Sequence, residues 1–529
     1  MKRDFATLAS QTFDLLVCGG GVYGAWTAYD AALRGLKVAI VEQNDWASAT
    51  SSASSKLIHG GLRYLETYDF ALISKSLKER ARLLRTAPHR VWPLRFGVPV
   101  YAQQRINRLQ LKLGLSVYDH LAGDLNPELR HRYWNSGEFG ARYSILHEAR
   151  LRGGFTYTDA QTDDARLVLE LIAGAQDAGA CCVNYCRLSG VLEVDGKAYG
   201  ATACDRSVQN ECIITAKQIV FTVGQWLVAE NPHQNWCRLA KGVHLVMPGV
   251  LQHEALLLTA QSDGRVFFMI PWYGRTLLGT TDTDFNGDVD HVSVDQIDID
   301  YLLAAANDYL KIPWKKDDIL GYYAGVRVFK QDMQTAVVNS PSAISRDWEI
   351  KTDHRGVHYA IGGKMTSSRQ DAAHLVDKVC AALGVSISCA TDDRLFPWAP
   401  REDFSTWRTR MQLQAMQLGV DAESADWLLR RHGRRIDEIL RRIMQDASLS
   451  QRIDPSLPFI VADLMQCAVA EMVVHLDDVL RRRMPLLILS RFSEDMLQRL
   501  AQRVAGLLGW DDARMQQEIA RCRWYRSVL

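Results

Sequence analysis

The clearest pattern lies at the start of the chain. Residues 13–18 are apolar apart from Asp14, as in a strand buried on both faces. A glycine turn follows. Residues 22–34 then have helical spacing, with Ala25, Ala28 and Ala32 small enough for close packing. Gly35 stands where a helix C-cap glycine belongs, and a second strand, 37–41, ends at Glu42. The pattern predicts a strand–turn–helix–strand unit. Further on, 191–214, 266–270 and 276–279 alternate as strands do, and 164–178 is helical. A strand at 357–361 meets a glycine pair and then a helix over 366–383. Strands interleaved with helices predict an α/β first domain and a sheet-based substrate domain folded from interleaved segments.

The segment 391–401 contains Pro397 and Pro400 and no periodicity, so it reads as a linker. Beyond it, 406–419, 424–431, 436–445, 458–482 and 493–508 are periodic as helices. That is a C-terminal all-helical domain over 400–529. The most apolar run, 458–476, carries Asp463 and Glu471 and reads as a buried helix, not a span.

Composition narrows the class. Of 529 residues, 47% are hydrophobic and 23% charged, with a formal net charge of +1. That excludes a nucleic-acid binder working by bulk charge. The eleven cysteines form no C-x-x-C pair; Cys182 and Cys186 stand nearest, with no second pair beside them. No metal centre is expected. The odd count and the lack of an apolar leader predict reduced thiols in the cytosol.

The glycine turn carries the chemistry. Gly19-Gly20-Gly21-Val22-Tyr23-Gly24 fits G-x-G-x-x-G between a strand and a helix. Gly19 permits the tight turn, Gly21 lets a pyrophosphate approach backbone, and Gly24 lets the helix pack on the sheet. Glu42 is placed to accept hydrogen bonds from ribose hydroxyls. The next segment selects FAD over NAD. Ser51, Ser52 and Ser55 can line a second side of the pyrophosphate, and Gly60 and Gly61 bring backbone close to a planar ring. Gly362-Gly363-Lys364-Met365-Thr366 forms another strand–glycine–helix junction, whose N–H groups suit a reduced flavin.

These residues resemble the FAD-dependent glycerol-3-phosphate dehydrogenase family. The resemblance runs through 19–24, Asp30 and 34–35, then through the specific stretch 51–66 that includes Lys56, His59, Arg63 and Tyr64. Asp163-Asp-Ala-Arg-Leu167, Lys241-Gly-Val-His244, Gly279-Thr-Thr-Asp282, Gly325-Val-Arg327 and 362–364 follow in family order, and 475–482 resembles the family's C-terminal helix. The resemblance implies an FAD-binding Rossmann-like domain of the glutathione-reductase/D-amino-acid-oxidase type over 13–390. A substrate-binding part is interleaved at roughly 80–150 and 240–330. It also implies oxidation of a small phosphorylated polyol, sn-glycerol 3-phosphate, with electrons passed to membrane quinone; the alternatives are a flavin oxidase or dehydrogenase of a different hydroxy-phosphate or hydroxy-acid, or a non-catalytic flavoprotein. A homodimer is an allowed assembly. The chain departs from the family pattern at Gln225, Val243, Val328 and Ser368.

Oxidising a secondary alcohol with flavin needs a base for the hydroxyl proton, a hydride acceptor, and cations for the phosphate. By resemblance, Arg63 and Arg327 face the substrate, with Tyr64, Thr281 and Lys364 as further polar contacts. His244 is the base candidate, since histidine titrates near neutral pH. His59 and Lys56 are expected at the cofactor. His475, Asp477 and Asp478 are expected on a solvated helix face or at a domain contact.

Between Glu79 and Asp119 no acidic residue occurs. Arg80, Arg82, Arg85, Arg90, Arg95, Arg105, Arg108 and Lys112 alternate there with Trp92, Phe96, Leu109, Leu111, Leu113 and Leu115. The mixture suits the headgroup boundary of an anionic lipid surface. The expected place is the cytoplasmic face of the inner membrane, held peripherally or monotopically.

Overall fold

A computed structural model of the chain describes residues 1–65, 69–102, 107–123, 126–230, 236–331, 347–491 and 493–525. The opening pattern folds as the strand Thr12–Cys18, the helix Val22–Leu33 and the strand Val38–Val41. The two strands pair in parallel. Asn210–Phe221 joins one side, followed by His358–Gly362, and Cys181–Val183 joins the other, all in parallel. A parallel sheet needs cover on both faces. Leu15 and Val17 meet one cover, built from Val22–Leu33, Asp164–Asp177 and Ser368–Ala382. Phe13, Leu16 and Cys18 point the other way, into a second core with Ile214 and Ala201. The alternation expected over 191–214 folds as Cys186–Val194 and Lys197–Asp205, leading into Asn210–Phe221.

A second, ten-stranded sheet takes its strands from 57–162 and 237–330, between segments of the first. The two sheets are therefore interleaved in sequence. Cys237–Pro248 lies between Arg275–Gly279 and Gly321–Lys330, antiparallel to both, with His244 opposite Gly279 and Tyr323. This register decides what faces the site.

The C-terminal region is helical: Phe404–Gln417, Ala422–His432, Ile436–Gln445, Val461–Ala470, Glu494–Leu508 and Asp512–Trp524. The helix expected over 458–482 is broken. It stops at Ala470, Met472 takes φ +52°, and a π-helical turn, Asp478–Arg483, follows. Buried ion pairs account for the break. Glu471 meets Arg166, whose Nη2 donates to Oε1 at 2.9 Å. Arg482 donates to Asp45 at 2.5 Å, and Arg483 donates to the same carboxylate at 2.9 Å. A continuous helix would carry these groups away from their partners on the first domain. Asp477 and Asp478 are buried, and Asp478 accepts from Tyr185 at 2.6 Å, so the cluster is a domain contact.

The basic segment does not form one cationic face. Arg80 is buried against Asp159 at 2.5 Å, and Arg90 is buried against Glu170 at 2.9 Å. Phe96 and Leu115 are core residues. The helix Arg108–Ala122 turns Leu115 and Tyr118 inward and leaves Leu109 and Leu113 exposed at 75% and 66%. Arg105 lies outside the described residues.

The Arg166–Glu471 pair generates a stability test. Burial opposes ionisation of Glu471, but the Arg166 guanidinium outweighs it and holds the carboxyl at about 2. The folded pKa is depressed, so the pair's contribution is full above the ordinary 4.5 and lost as pH falls towards about 2. Glu471→Gln leaves the Arg166 charge buried without its counter-ion. Denaturant unfolding at neutral pH should show a loss of about 3 kcal/mol. The difference from wild type should shrink as the medium is acidified.

Candidate functional site

A cavity of about 350 Å³ is lined from both sheets. One end is the glycine turn. Gly19 has φ +108°, and a Cβ there would stand 2.7 Å from the Thr222 carbonyl oxygen. A Cβ on Gly24 would stand 1.8 Å from the Gly19 carbonyl, so the helix could not sit so close to the strand. Gly21 differs: its Cβ would meet only Ser51 Oγ, at 3.0 Å, and its open side faces the cavity. Ser51 Oγ accepts the Val22 N–H at 2.9 Å. This helix N-terminus, open and glycine-lined, fits a pyrophosphate. Glu42 closes the next strand and lines the cavity. Its carboxylate accepts Gly20 N–H at 2.7 Å and Asn44 N–H at 2.9 Å, while burial pushes its pKa up.

The second glycine junction also lines the cavity. Gly362 and Gly363 have φ of +77° and +95°, and a Cβ on Gly363 would overlap the Tyr23 hydroxyl at 1.8 Å. That hydroxyl accepts the Lys364 N–H at 3.1 Å and donates to Asp371 at 2.6 Å. Tyr23 therefore braces the two junctions together. Lys364 Nζ donates to the carbonyls of His59 and Gly60 at 3.3 and 3.4 Å, and Thr366 Oγ1 accepts the His59 N–H at 3.1 Å.

The cavity wall also carries His244, Thr280 and Arg327. Arg327 donates to Asp282 Oδ1 at 2.9 Å and to Thr280 Oγ1 at 2.9 Å. Gly242 makes the room, since a Cβ there would lie 2.4 Å from Arg327 Nη2. His244 is buried, stacks on Tyr323 at 4.9 Å, and has Ser55 Oγ 2.9 Å from Nε2. Burial, then Arg327, then Lys56, push its pKa well below the ordinary 6.5. It does not titrate near neutrality as the sequence reading supposed. It stays neutral, which is the form that accepts a proton.

The structure brings Gly19, Gly21, Glu42, Ser51, Ser55, His59, Gly61, His244, Arg327 and 362–366 to one cavity. It turns others away. Lys56 is buried against Asp164 at 2.6 Å, off the wall, because Asp164 draws its ammonium inward. Ser52 is buried, and its carbonyl accepts from Lys56 at 3.0 Å. Thr281 is buried and accepts the Val243 N–H at 3.0 Å; Thr280 faces Arg327 instead. Tyr64 is buried beneath Lys364, whose Nζ is 5.1 Å from its ring centre. Gly60 packs against Tyr118, whose hydroxyl accepts its N–H at 2.9 Å. The side chain of Arg63 lies outside the described residues. Gln225 and Val328 line the cavity. Val243 is a core residue beside Leu245 and Met247, and Ser368 is buried on the Met365 carbonyl at 2.8 Å. Sequence reasoning missed Tyr23, Gly242, Thr280 and Tyr323. Strand alternation from His244 gives Gly242; nothing local gives Tyr23.

Residues 14–369 match the family model described as FAD dependent oxidoreductase, and 389–515 match that of the C-terminal domain of alpha-glycerophosphate oxidase. The glycerol-3-phosphate dehydrogenase of Synechocystis sp. is 34% identical over 99% of this chain and 98% of its own length. The aerobic glycerol-3-phosphate dehydrogenase of Escherichia coli is 36% identical over 70% of this chain and 74% of its own. The D-erythritol 1-phosphate dehydrogenase of Brucella abortus is 37% identical over 68% and 72%. The solved glycerol-3-phosphate dehydrogenase of Bacillus halodurans, complexed with FAD, superposes with a TM-score of 0.79 at 27% identity, covering 98% of this chain and 95% of that one.

The glycine geometry separates binding from folding. Gly21→Leu fills open space, so it should fold with wild-type circular dichroism and purify without flavin absorbance. Gly24→Ala strikes backbone and should lower the melting temperature. A yellow Gly21→Leu protein would show that the cofactor does not cross this turn.

Proposed function

Because the chain belongs to the FAD-dependent glycerol-3-phosphate dehydrogenase family, we propose that it oxidises sn-glycerol 3-phosphate to dihydroxyacetone phosphate and passes the electrons to membrane quinone. The observation that supports this most is the neutral, buried His244 on the same cavity wall as Arg327. When bound, FAD would supply the two-electron oxidation, held by residues of the two glycine junctions and the serine segment that line the cavity. The chain's residues do the rest. Arg327, held square by Asp282 and Thr280, offers its guanidinium to the phosphate. Arg63 is its proposed companion, and Lys364 a further polar contact. His244 takes the hydroxyl proton as the C2–H bond gives up its hydride, so the alcohol becomes a ketone. The apolar neighbours Leu257, Val266 and Phe268 exclude water.

A longer polyol phosphate is the second reading, favoured by the 37% identity to the D-erythritol 1-phosphate enzyme and by Gln225 and Val328 at the wall. Steady-state turnover with a soluble quinone analogue compares glycerol 3-phosphate, D-erythritol 1-phosphate and glycerol. Glycerol 3-phosphate should give the highest kcat/KM and glycerol none. Arg327→Ala should cost about 2–3 kcal/mol in kcat/KM. If D-erythritol 1-phosphate wins, the substrate assignment moves to the longer polyol. If no phosphate is turned over, the reading fails.

The His244 environment sets a pH dependence. Its folded pKa is lowered, so the base is neutral at pH 6.5 and is lost only further into acid. The acid limb of kcat/KM should fall well below pH 6.5, and His244→Gln should lower kcat by roughly 10²–10⁴-fold. An acid limb centred near the ordinary histidine value would remove His244 as the base.

Access to quinone calls for docking at a bilayer. Among the described residues no helix is long and apolar enough to cross one. The helix Arg108–Ala122 is the proposed contact, through exposed Leu109 and Leu113 flanked by Arg108 and Lys112. Leu109→Ser/Leu113→Ser and Arg108→Glu/Lys112→Glu should each reduce co-sedimentation with anionic vesicles. Equal binding by wild type and both variants would place the anchor elsewhere.

A further inference from the structure

A second cavity, of about 410 Å³, shares no lining residue with the glycine-lined one. Its walls come from four pieces: the helices Val22–Leu33 and Asp164–Asp177, the linker 394–401, and the turn Gly433–Arg435 of the helical domain. Gly174 lets the linker settle onto the two helices, since a Cβ there would stand 2.3 Å from Pro397 Cγ and 2.9 Å from the Tyr29 ring. Three arginines line this cavity: Arg394, Arg401 and Arg434. Arg394 lies beside the hydroxyl of Tyr29, which is buried. Arg434 donates from Nε to the Pro397 carbonyl at 3.0 Å, so its side chain lies along the linker.

The acids that could answer these arginines are engaged elsewhere. Asp392 pairs with Arg369 at 2.8 Å, and Asp393 pairs with Arg85. On the other side of the linker, Glu402 pairs with Arg410 at 2.6 Å. Asp177 is the one acid on the cavity wall. Among the described residues, Arg394, Arg401 and Arg434 form no ion pair with it or with any other carboxylate. Three arginines against one aspartate leave the wall with an excess of two positive charges. The remaining wall is apolar, with Leu395 exposed at 43% and Leu33 half-buried. Guanidinium groups suit the oxygens of a phosphate, which they bind in pairs of hydrogen bonds. We propose that this cavity binds a small organic phosphate, its phosphate on the three arginines and its apolar body over Leu33 and Leu395. The occupant would touch both domains and the linker, and so tie them together. The proposal is independent of the reaction assigned to the glycine-lined cavity.

Titration calorimetry on the FAD-loaded protein tests this, with phenyl phosphate, inorganic phosphate and a short-chain phosphatidic acid below its micelle concentration as probes. Phenyl phosphate should bind at one saturable site, more tightly than inorganic phosphate, and should raise the melting temperature, because a ligand of the folded state stabilises it. Arg394→Gln/Arg401→Gln should weaken that binding at least about tenfold. Both side chains are exposed, so this variant should keep its flavin and its melting temperature without ligand. Arg327→Ala, in the other cavity, should bind phenyl phosphate as wild type does. Tighter binding of phosphatidic acid than of phenyl phosphate would make the source a lipid headgroup, and the reverse a free metabolite; either upholds the site. No saturable binding to wild type, no preference over inorganic phosphate, equal binding by the double variant, or loss of binding in Arg327→Ala would overturn it.

Discussion

Asp164 is fully buried at the start of the helix Asp164–Asp177, and the Lys56 ammonium meets it there at 2.6 Å. Two charges out of water are costly unless each is paired and hydrogen-bonded. Both conditions hold: Asp164 accepts four hydrogen bonds, and Lys56 also reaches the Ser52 carbonyl. Burial lowers the Lys56 pKa and Asp164 opposes that. The pair is the charged anchor of a segment that is otherwise a run of serines and an alanine. Everything the segment touches is then placed. Ser51 caps the dinucleotide-type helix, Ser55 reaches His244, and Ser54 receives Tyr323.

The same motif binds the helical domain. Two residues on from Asp164, Arg166 donates to the Arg431 carbonyl at 2.7 Å and pairs with Glu471. Asp163 accepts the Tyr273 hydroxyl at 2.8 Å. Three charged residues within four positions thus serve three interfaces: the second sheet, the serine segment and the helical domain. Arg481 carries the last of these back to the Tyr323 ring beside His244. The C-terminal domain therefore helps to shape the site without lining the cavity.

The glycine turn, Glu42, the second glycine junction, His244 and Arg327 were legible because their chemistry is local. Backbone closeness needs glycine; His244 and Arg327 lie within the strands Cys237–Pro248 and Gly321–Lys330, not at the strand end expected for Arg327, and were reached through the resemblance. Long-range partners were not legible. Lys56 lies in a stretch that reads as cofactor contact, yet Asp164, 108 residues away, takes it. The Thr280/Thr281 pair can be resolved only by register, which turns Thr281 onto the Val243 N–H. The departure at Val243 lost its bearing on the substrate for the same reason: period-two alternation sends Gly242 and His244 to the cavity and Val243 to the core. In the basic segment, charge count suggested a lipid face, but Arg80 and Arg90 answer buried carboxylates. Periodicity also ran a helix through 458–482, where ion pairs with Arg166 and Asp45 break it.

In the proposed reaction a base on one cavity wall takes the proton while the carbon bearing the hydroxyl gives up its hydride. Anaerobic stopped-flow reduction of the flavin, comparing glycerol 3-phosphate with the same molecule deuterated at C2, tests it most directly. Reduction should be slower with the C2-deuterated substrate and unchanged when deuterium is placed at C1 or C3. Equal rates with the unlabelled and the C2-deuterated substrate, or no reduction of the flavin, would contradict this reaction.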